Sequence, residues 1–426
     1  MSALQRSQSL QLLQGGQDFF PALIAAMDEA KAWVQLETYI FDVHGIGAEV
    51  ADALIRAARR GLTVQVLVDG IGSELLPAEW QQKMRDAGVH WCVYSPLGTG
   101  IGGLGLLVPD RWRRLHRKLC VIDQRIVFCG GINVLDDFYD PNHGELKAAR
   151  FDFAVAATGP IAVEAADAVA LLWWRVQAGY SARQNHLSAA WEKFKAAGYG
   201  GRTTSKGLVS AAEPPSGSAL TGSDVVTGMT PGVTPGAKAA LVLRDNLRNR
   251  SSIEKSYLKA IGRAHHEILI ANAYFVPGGK LRWALVGAAK RGVKITLLLQ
   301  GKYEYFMQYH AARPVYDALL KVGIEIHEYE ASFLHAKVAV IDGHWATVGS
   351  SNLDPLSLLL AREANVVVED KVFARQLREQ LCAAIAGHGR RIDYEIYGKR
   401  PFGQRLLGHF AYALMRLLIW VAGKRY

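Results

Sequence analysis

Two stretches of this chain set a histidine, a lysine and an aspartate at the same spacing. They are His116, Lys118 and Asp123 in LHRKLCVIDQRIVFCGGIN, and His335, Lys337 and Asp342 in LHAKVAVIDGHWATVGSSN. Each is followed by a small pair and an asparagine: Gly130, Gly131 and Asn133, then Gly349, Ser350 and Asn352. Residues i and i+2 of a strand point to one face, so each histidine projects beside its lysine. A phosphodiester is an anion that resists nucleophiles. Two lysine charges and two asparagine amides are suited to neutralise its oxygens as the transition state forms. One imidazole can attack phosphorus, giving a covalent phosphohistidine, while the other protonates the departing alcohol. Whether water or a second alcohol then takes the phosphoryl group separates hydrolysis from transfer. The cationic side chains do what magnesium does elsewhere, so no metal and no cofactor are expected. One such pattern is weak evidence by itself; two copies in matching positions are strong.

The elements that must carry these residues also come in two versions. Apolar Val34 to Phe41 reads as a strand, Gly47 to Arg60 as a helix stopped by Gly61, and Val64 to Val68 as the next strand. Glu267 to Val276, Lys280 to Arg291 with Gly292, and Lys294 to Leu299 repeat that order, and AARRGLTVQVLV aligns with AAKRGVKITLLL. Strand, helix, strand implies a parallel α/β layer in each half. Each motif then reads as a hairpin with its His-Lys pair at one end, with Asp342-Gly343 a good tight-turn dipeptide. The expected organisation is a first lobe over 1–197, a linker over 198–238, a second lobe over 239–396 and a separate C-terminal segment over 397–426. The linker is crowded with Gly, Ser, Thr and Pro and has no hydrophobic period.

Bulk properties fit two units in 426 residues, half of them hydrophobic, which is enough for a large core. Four cysteines without a CxxC pair argue against a zinc site or disulfide framework and suit a reducing compartment. Met1 to Gln17 is polar, so no signal peptide is expected, and no apolar run is long enough to span a membrane. A formal charge of +10 favours anionic partners without choosing between nucleic acid and lipid.

The paired HxKxxxxD motifs resemble the phospholipase D superfamily, and within it the bacterial cardiolipin synthases of the shorter type. GGQDFFP at Gly15 to Pro21, LETYIFD, the basic residues around His116, RSSIEKSY at Arg250 to Tyr257 and the run Ala273 to Pro277 carry the closer likeness. The resemblance implies an α/β fold of two pseudo-symmetric lobes, each a mixed sheet flanked by helices, with the active site at the lobe interface. It implies that each catalytic histidine is steadied by an acid beyond its motif, for which Asp152 and Glu363 are the candidates. Asp123 and Asp342, although part of the catalytic motif, are implied to brace their hairpins. His116 is implied to be the nucleophile and His335 the general acid. Gly131 against Ser350 marks a chemical difference between the halves.

The activity implied is transfer of a phosphatidyl group from one phosphatidylglycerol to another with release of glycerol. Hydrolysis, transfer to another alcohol, or cleavage of DNA are the alternatives. No DNA-binding motif accompanies the basic charge, so nucleic acid is disfavoured. Two regions point to a membrane surface. RWRRLHRK, Arg111 to Lys118, places Trp112 among cations beside the first motif. Arg405 to Tyr426 spaces Leu406, Leu407, Phe410, Leu414, Leu417, Leu418 and Val421 as on a helix, with Arg405, Arg416, Lys424 and Arg425 as cations and Tyr412 and Trp420 suited to headgroups. This segment is expected to lie in the plane of the membrane, peripheral to its cytoplasmic face, with packing on the protein's own core as the alternative. The glycine-rich Thr99 to Val108 lacks the context of a dinucleotide site and is read as an apolar loop.

Overall fold

The structure, a computed structural model, describes residues 4–6, 9–73, 76–96, 113–183, 233–245, 249–303, 306–354 and 361–421. Both repeats fold as their patterns require. Trp33–Thr38 is followed by the helix Ile46–Arg59 and the strand Thr63–Asp69; Glu267–Asn272 by Gly279–Lys290 and Lys294–Gln300. Each helix ends at a left-handed glycine, Gly61 and Gly292, both at φ 88°. Only glycine adopts that conformation without strain, and it turns the chain into the next strand. The two strands of each repeat pair in parallel, Val34 beside Val64 and Ile268 beside Ile295.

Each sheet is completed by the hairpin of its His-Lys motif and further strands. In the first lobe the order is Val233–Pro235, Ser9–Gln14, Phe153–Thr158, Ile126–Gly130, Lys118–Ile122, Trp33–Thr38, Thr63–Asp69 and His90–Tyr94. In the second it is Gln5–Arg6, Lys238–Arg244, Ala361–Glu369, Trp345–Gly349, Lys337–Ile341, Glu267–Asn272, Lys294–Gln300, Glu325–Tyr329 and Gly389–Arg391. The sheets are mixed, because the hairpins run antiparallel to the repeat strands. Helices Pro160–Arg183 and Lys371–His388 contribute Val169 and Leu377 to a core that joins both lobes.

Three expected boundaries differ. The linker lies outside the described residues up to 232, but Val233–Pro235 pairs with Ser9–Gln14 of the first sheet, and Lys238 opens a strand of the second. Gln5–Arg6, placed in the first lobe by its position in the chain, pairs with Lys238–Arg244 of the second. The segment 397–426 is not a separate unit as far as it is described. Its helix Phe402–Val421 sinks Ala411 and Met415 into the second-lobe core beside Val315 and Leu319. Among the described residues no helix is long and apolar enough to cross a membrane. Lys424, Arg425 and the loop Thr99 to Val108 lie outside the described residues.

Candidate active site

The hairpins hold their own geometry through the aspartates. Asp123 accepts the backbone N–H groups of Lys31, Ala32 and Trp33 at 2.8–2.9 Å. Asp342 accepts those of His265, His266 and Glu267 over the same range. Both sit in tight turns with positive φ, Asp123-Gln124 at 52° and 56° and Asp342-Gly343 at 50° and 64°. These turns close the ends of the strands Lys118–Ile122 and Lys337–Ile341 opposite the His-Lys pairs. The two aspartates therefore do not join the His-Lys cluster: each locks its hairpin onto the strand beside it.

At the other end the lobes exchange support. His116 donates its backbone N–H to the carbonyl of Arg362 at 3.0 Å, and His335 donates its own to that of Phe151 at 2.9 Å. Each histidine segment thus joins the acid-bearing strand of the opposite lobe. The side chains follow: His116 Nδ1 lies 3.1 Å from Glu363 Oε2, and His335 Nδ1 lies 2.6 Å from Asp152 Oδ2. A carboxylate on Nδ1 fixes the tautomer and leaves Nε2 able to act as a nucleophile or base. Both acids are buried, at 0% and 4% side-chain exposure, while the histidines keep 17% and 19%. Lys118 Nζ donates to the His116 carbonyl at 2.7 Å, and Lys337 Nζ to the His335 carbonyl. Asn133 Oδ1 accepts the N–H of Ile40 at 3.1 Å and Asn352 Oδ1 that of Tyr274 at 3.4 Å, so each amide presents its NH2 as donor.

The charges of the cluster act on one another. Burial is the main force lowering the pKa of both histidines; Glu363 opposes it at His116, while Lys337, Lys118 and His116 deepen it at His335, which falls well below the ordinary value. Burial pushes Lys118 down to about 7 against the pull of Glu363, and pushes Asp152 up to about 7 against Lys337. Six groups from two lobes share one electrostatic site.

Gly131 and Ser350 mark the difference expected from the sequence. Ser350 Oγ donates to Glu363 Oε2 at 2.5 Å. At Gly131 a Cβ would collide with the Asp152 carboxylate, so glycine makes room for that acid. Gly15 and Gly16 of GGQDFFP buttress the same region: Gly15 N–H donates to the Asp152 carbonyl at 2.9 Å, and Gly16 N–H to Asp137 Oδ2 at 2.5 Å.

Sequence reading missed a second pair of anchors. Asp69 Oδ2 accepts the N–H of Leu115 at 2.7 Å, and Gln300 Oε1 accepts that of Leu334 at 3.1 Å. Each fixes the residue before a motif histidine. Their signal was available, since QVLVD and TLLLQ end at matching repeat positions. The basic stretch is spent differently from expectation. Arg117 forms a buried ion pair with Glu37, with Nη2 to Oε1 at 2.8 Å, and Arg114 pairs with Asp69 at 3.3 Å. Arg111 and Trp112 lie outside the described residues.

Comparison with known proteins agrees with this geometry. A family model described as a cardiolipin synthase, phospholipase D-like domain matches residues 23–144 and 257–384. Cardiolipin synthase B of Escherichia coli K12 is 34% identical over 97% of this chain and 89% of its own length. A probable cardiolipin synthase of Bacillus subtilis is 28% identical over 88% of this chain and 65% of its own length. In fold, the chain resembles the crystal structure of phosphatidylserine synthase from Haemophilus influenzae, with a TM-score of 0.66, 13% identity and coverage of 99% of this chain and 97% of that one. Two motif-bearing lobes, the matched family domain in each and near full-length similarity to named relatives place this chain in the phospholipase D-like cardiolipin synthase family.

Proposed function

We propose that the chain is a cardiolipin synthase that transfers a phosphatidyl group between two phosphatidylglycerol molecules at a membrane surface. The observation that carries the mechanism is the cross-lobe pairing of His116 with Glu363 and His335 with Asp152. One histidine Nε2 attacks phosphorus as the bond to the donor's glycerol oxygen breaks, and the other histidine gives that oxygen its proton. The second phosphatidylglycerol then surrenders a hydroxyl proton to the same acid-base histidine. Its oxygen bonds to phosphorus and releases the first histidine. Lys118, Lys337, Asn133 and Asn352 receive the developing charge on the phosphoryl oxygens. The resemblance favours His116 as the attacking group.

Peripheral association with the cytoplasmic face belongs to the same proposal. Helix Phe402–Val421 buries one side and leaves Phe402, Leu406, Phe410 and Leu417 54–77% exposed. It carries Arg405, His409 and Arg416 and no acidic residue, a composition suited to anionic lipid. All four cysteines are free thiols, as suits a reducing compartment.

The test incubates purified enzyme with labelled phosphatidylglycerol, phosphatidylethanolamine or DNA and identifies the products. Cardiolipin and glycerol from the first lipid are expected. Phosphatidic acid alone would make the enzyme a hydrolase, and cleavage of DNA alone would redirect the substrate class.

A further inference from the structure

The two histidines share a motif but have unlike neighbours at matching positions. Register pairs Tyr94 with Tyr329, since each strand end accepts the N–H of the glycine after its neighbour strand, Gly70 and Gly301. It likewise pairs Arg362 with Phe151, the residues whose carbonyls receive the histidine N–H groups. On the His335 side, Phe151 stacks on Tyr329 with centroids 5.2 Å apart, and Phe333 precedes the histidine by two residues. On the His116 side, Arg362 lies over Tyr94, 5.7 Å from the ring centroid, and its Nε donates to the Tyr94 hydroxyl at 3.1 Å.

The neighbouring cations are already committed. Arg114 serves Asp69, and Arg117 serves Glu37. Burial raises the Glu37 pKa; Arg117 is the main group opposing that rise, and Arg362, close enough to act on the same carboxyl, adds to the opposition. Its Nη1 and Nη2 form no hydrogen bond among the described residues, and neither does the Tyr94 hydroxyl as donor. Arg362 and Tyr94 are half-buried and so remain reachable. Phe151 offers no such donors.

We propose that Arg362 and Tyr94 form a second anion subsite beside the catalytic cluster, which binds the phosphodiester of the phospholipid that accepts the phosphatidyl group. This rests on the transfer reading above, in which the acceptor carries its own phosphate into a site whose lysines hold the reacting one. A guanidinium and a phenol are suited to phosphate oxygens, the first through charge-assisted hydrogen bonds. A neutral alcohol has no group for them. The subsite therefore selects phospholipid over small alcohols as acceptor.

Competition between two acceptors tests this. Vesicles of phosphatidylglycerol with added ethanol give cardiolipin and phosphatidylethanol from one phosphohistidine, so their ratio is independent of the donor step. Arg362→Gln and Arg362→Phe are expected to lower the cardiolipin-to-phosphatidylethanol ratio about tenfold, the loss of one charge-assisted hydrogen bond. Arg362→Lys should restore part of it, and Tyr94→Phe should lower it less. Two neutral variants guard against one failing to fold at the lobe boundary. A ratio lowered by less than about threefold in the soluble variants overturns the subsite, since that is less than one such bond supplies. Wild-type enzyme that forms phosphatidylethanol but no cardiolipin overturns the transfer reading and the subsite with it, and this is read before any variant.

Discussion

The surroundings of His116 and His335 differ more than the motifs that deliver them. Around His116 stand Glu363, Ser350, Tyr39, Asp69 and Arg114, with the Tyr39 ring 5.0 Å from the imidazole. Around His335 stand Asp152, Gln300, Phe151 and Phe333, with glycine where the other half has serine. Duplication supplied two equal imidazoles. The steps proposed for them are unequal, since one bonds to phosphorus and the other carries a proton. Each acid comes from the opposite lobe, so a change in one lobe retunes the histidine of the other.

The strongest way to break the comparison is to remove each imidazole. His116→Ala and His335→Ala should each lower turnover by roughly four orders of magnitude or more. Only the variant that retains the attacking histidine can yield a labelled phospho-adduct in rapid-quench trapping. Full activity in either variant ends the mechanism. Next come the paired small residues. Gly131→Ala forces the Asp152 carboxylate off His335, and a displaced catalytic group costs about a hundredfold in kcat. Ser350→Ala removes one hydrogen bond to Glu363 and should cost about tenfold at most. Equal losses would mean that the two supports are equivalent after all.

The pH profile sharpens the same contrast. Burial brings Lys118 down to about 7, and the carboxylates of Glu363 and Asp152 both oppose that fall, Glu363 the more. Lys118 is cationic below its pKa and clamps phosphate less well as pH rises through it. The alkaline limb of kcat/KM for the free enzyme should therefore fall near pH 7. Glu363→Gln removes a charge that raises the Lys118 pKa, so the limb moves to lower pH. Asp152→Asn should move it the same way by less. A limb that stays in place in both variants separates Lys118 from the profile.

How much of this was legible follows from the distance over which each contact acts. The repeat strands, their helices, the glycine stops and the His-Lys pairs depend on neighbours a few residues away, and periodicity exposes them. Asp152 and Glu363 were named as candidates, but which histidine each serves depends on residues 183 and 247 positions apart. The exchange of Gln5–Arg6 and Val233–Pro235 between sheets is equally non-local. Asp69 and Gln300 fall just past the strands read as Val64 to Val68 and Lys294 to Leu299, and the N–H groups of Leu115 and Leu334 that they hold lie 46 and 34 positions away. The charges of Arg114 and Arg117 read as a basic surface, whereas burial beside Asp69 and Glu37 turns them inward.

The hairpin aspartates should move stability rather than chemistry. Asp123→Ala and Asp342→Ala each strip a turn of acceptors for three backbone N–H groups. Capping losses of this kind run to about 1–2 kcal/mol, visible as a lower Tm with kcat nearly preserved at low temperature. A large kcat loss at unchanged Tm would return these carboxylates to the catalytic set.

The smallest chemical effect is expected at the C-terminal helix, which has no counterpart in the first lobe among the described residues. Its deletion is a poor probe, because Ala411 and Met415 belong to the second-lobe core and their loss would unsettle the fold. Leu406, Phe410 and Leu417 lie on the other side of the helix, 54–59% exposed. Replacing all three with glutamine leaves the packed side intact and strips the apolar stripe that bilayer binding requires. Binding to vesicles rich in anionic lipid, read by co-sedimentation, should drop about tenfold or more, since each buried large side chain contributes ~1.5 kcal/mol or more. Turnover of a short-chain, monomerically dispersed phosphatidylglycerol should change little. If instead both assays fall together, the stripe acts through the fold of the second lobe. If neither falls, membrane contact lies elsewhere on the molecule and the asymmetry between the lobes is confined to the surroundings of the two histidines.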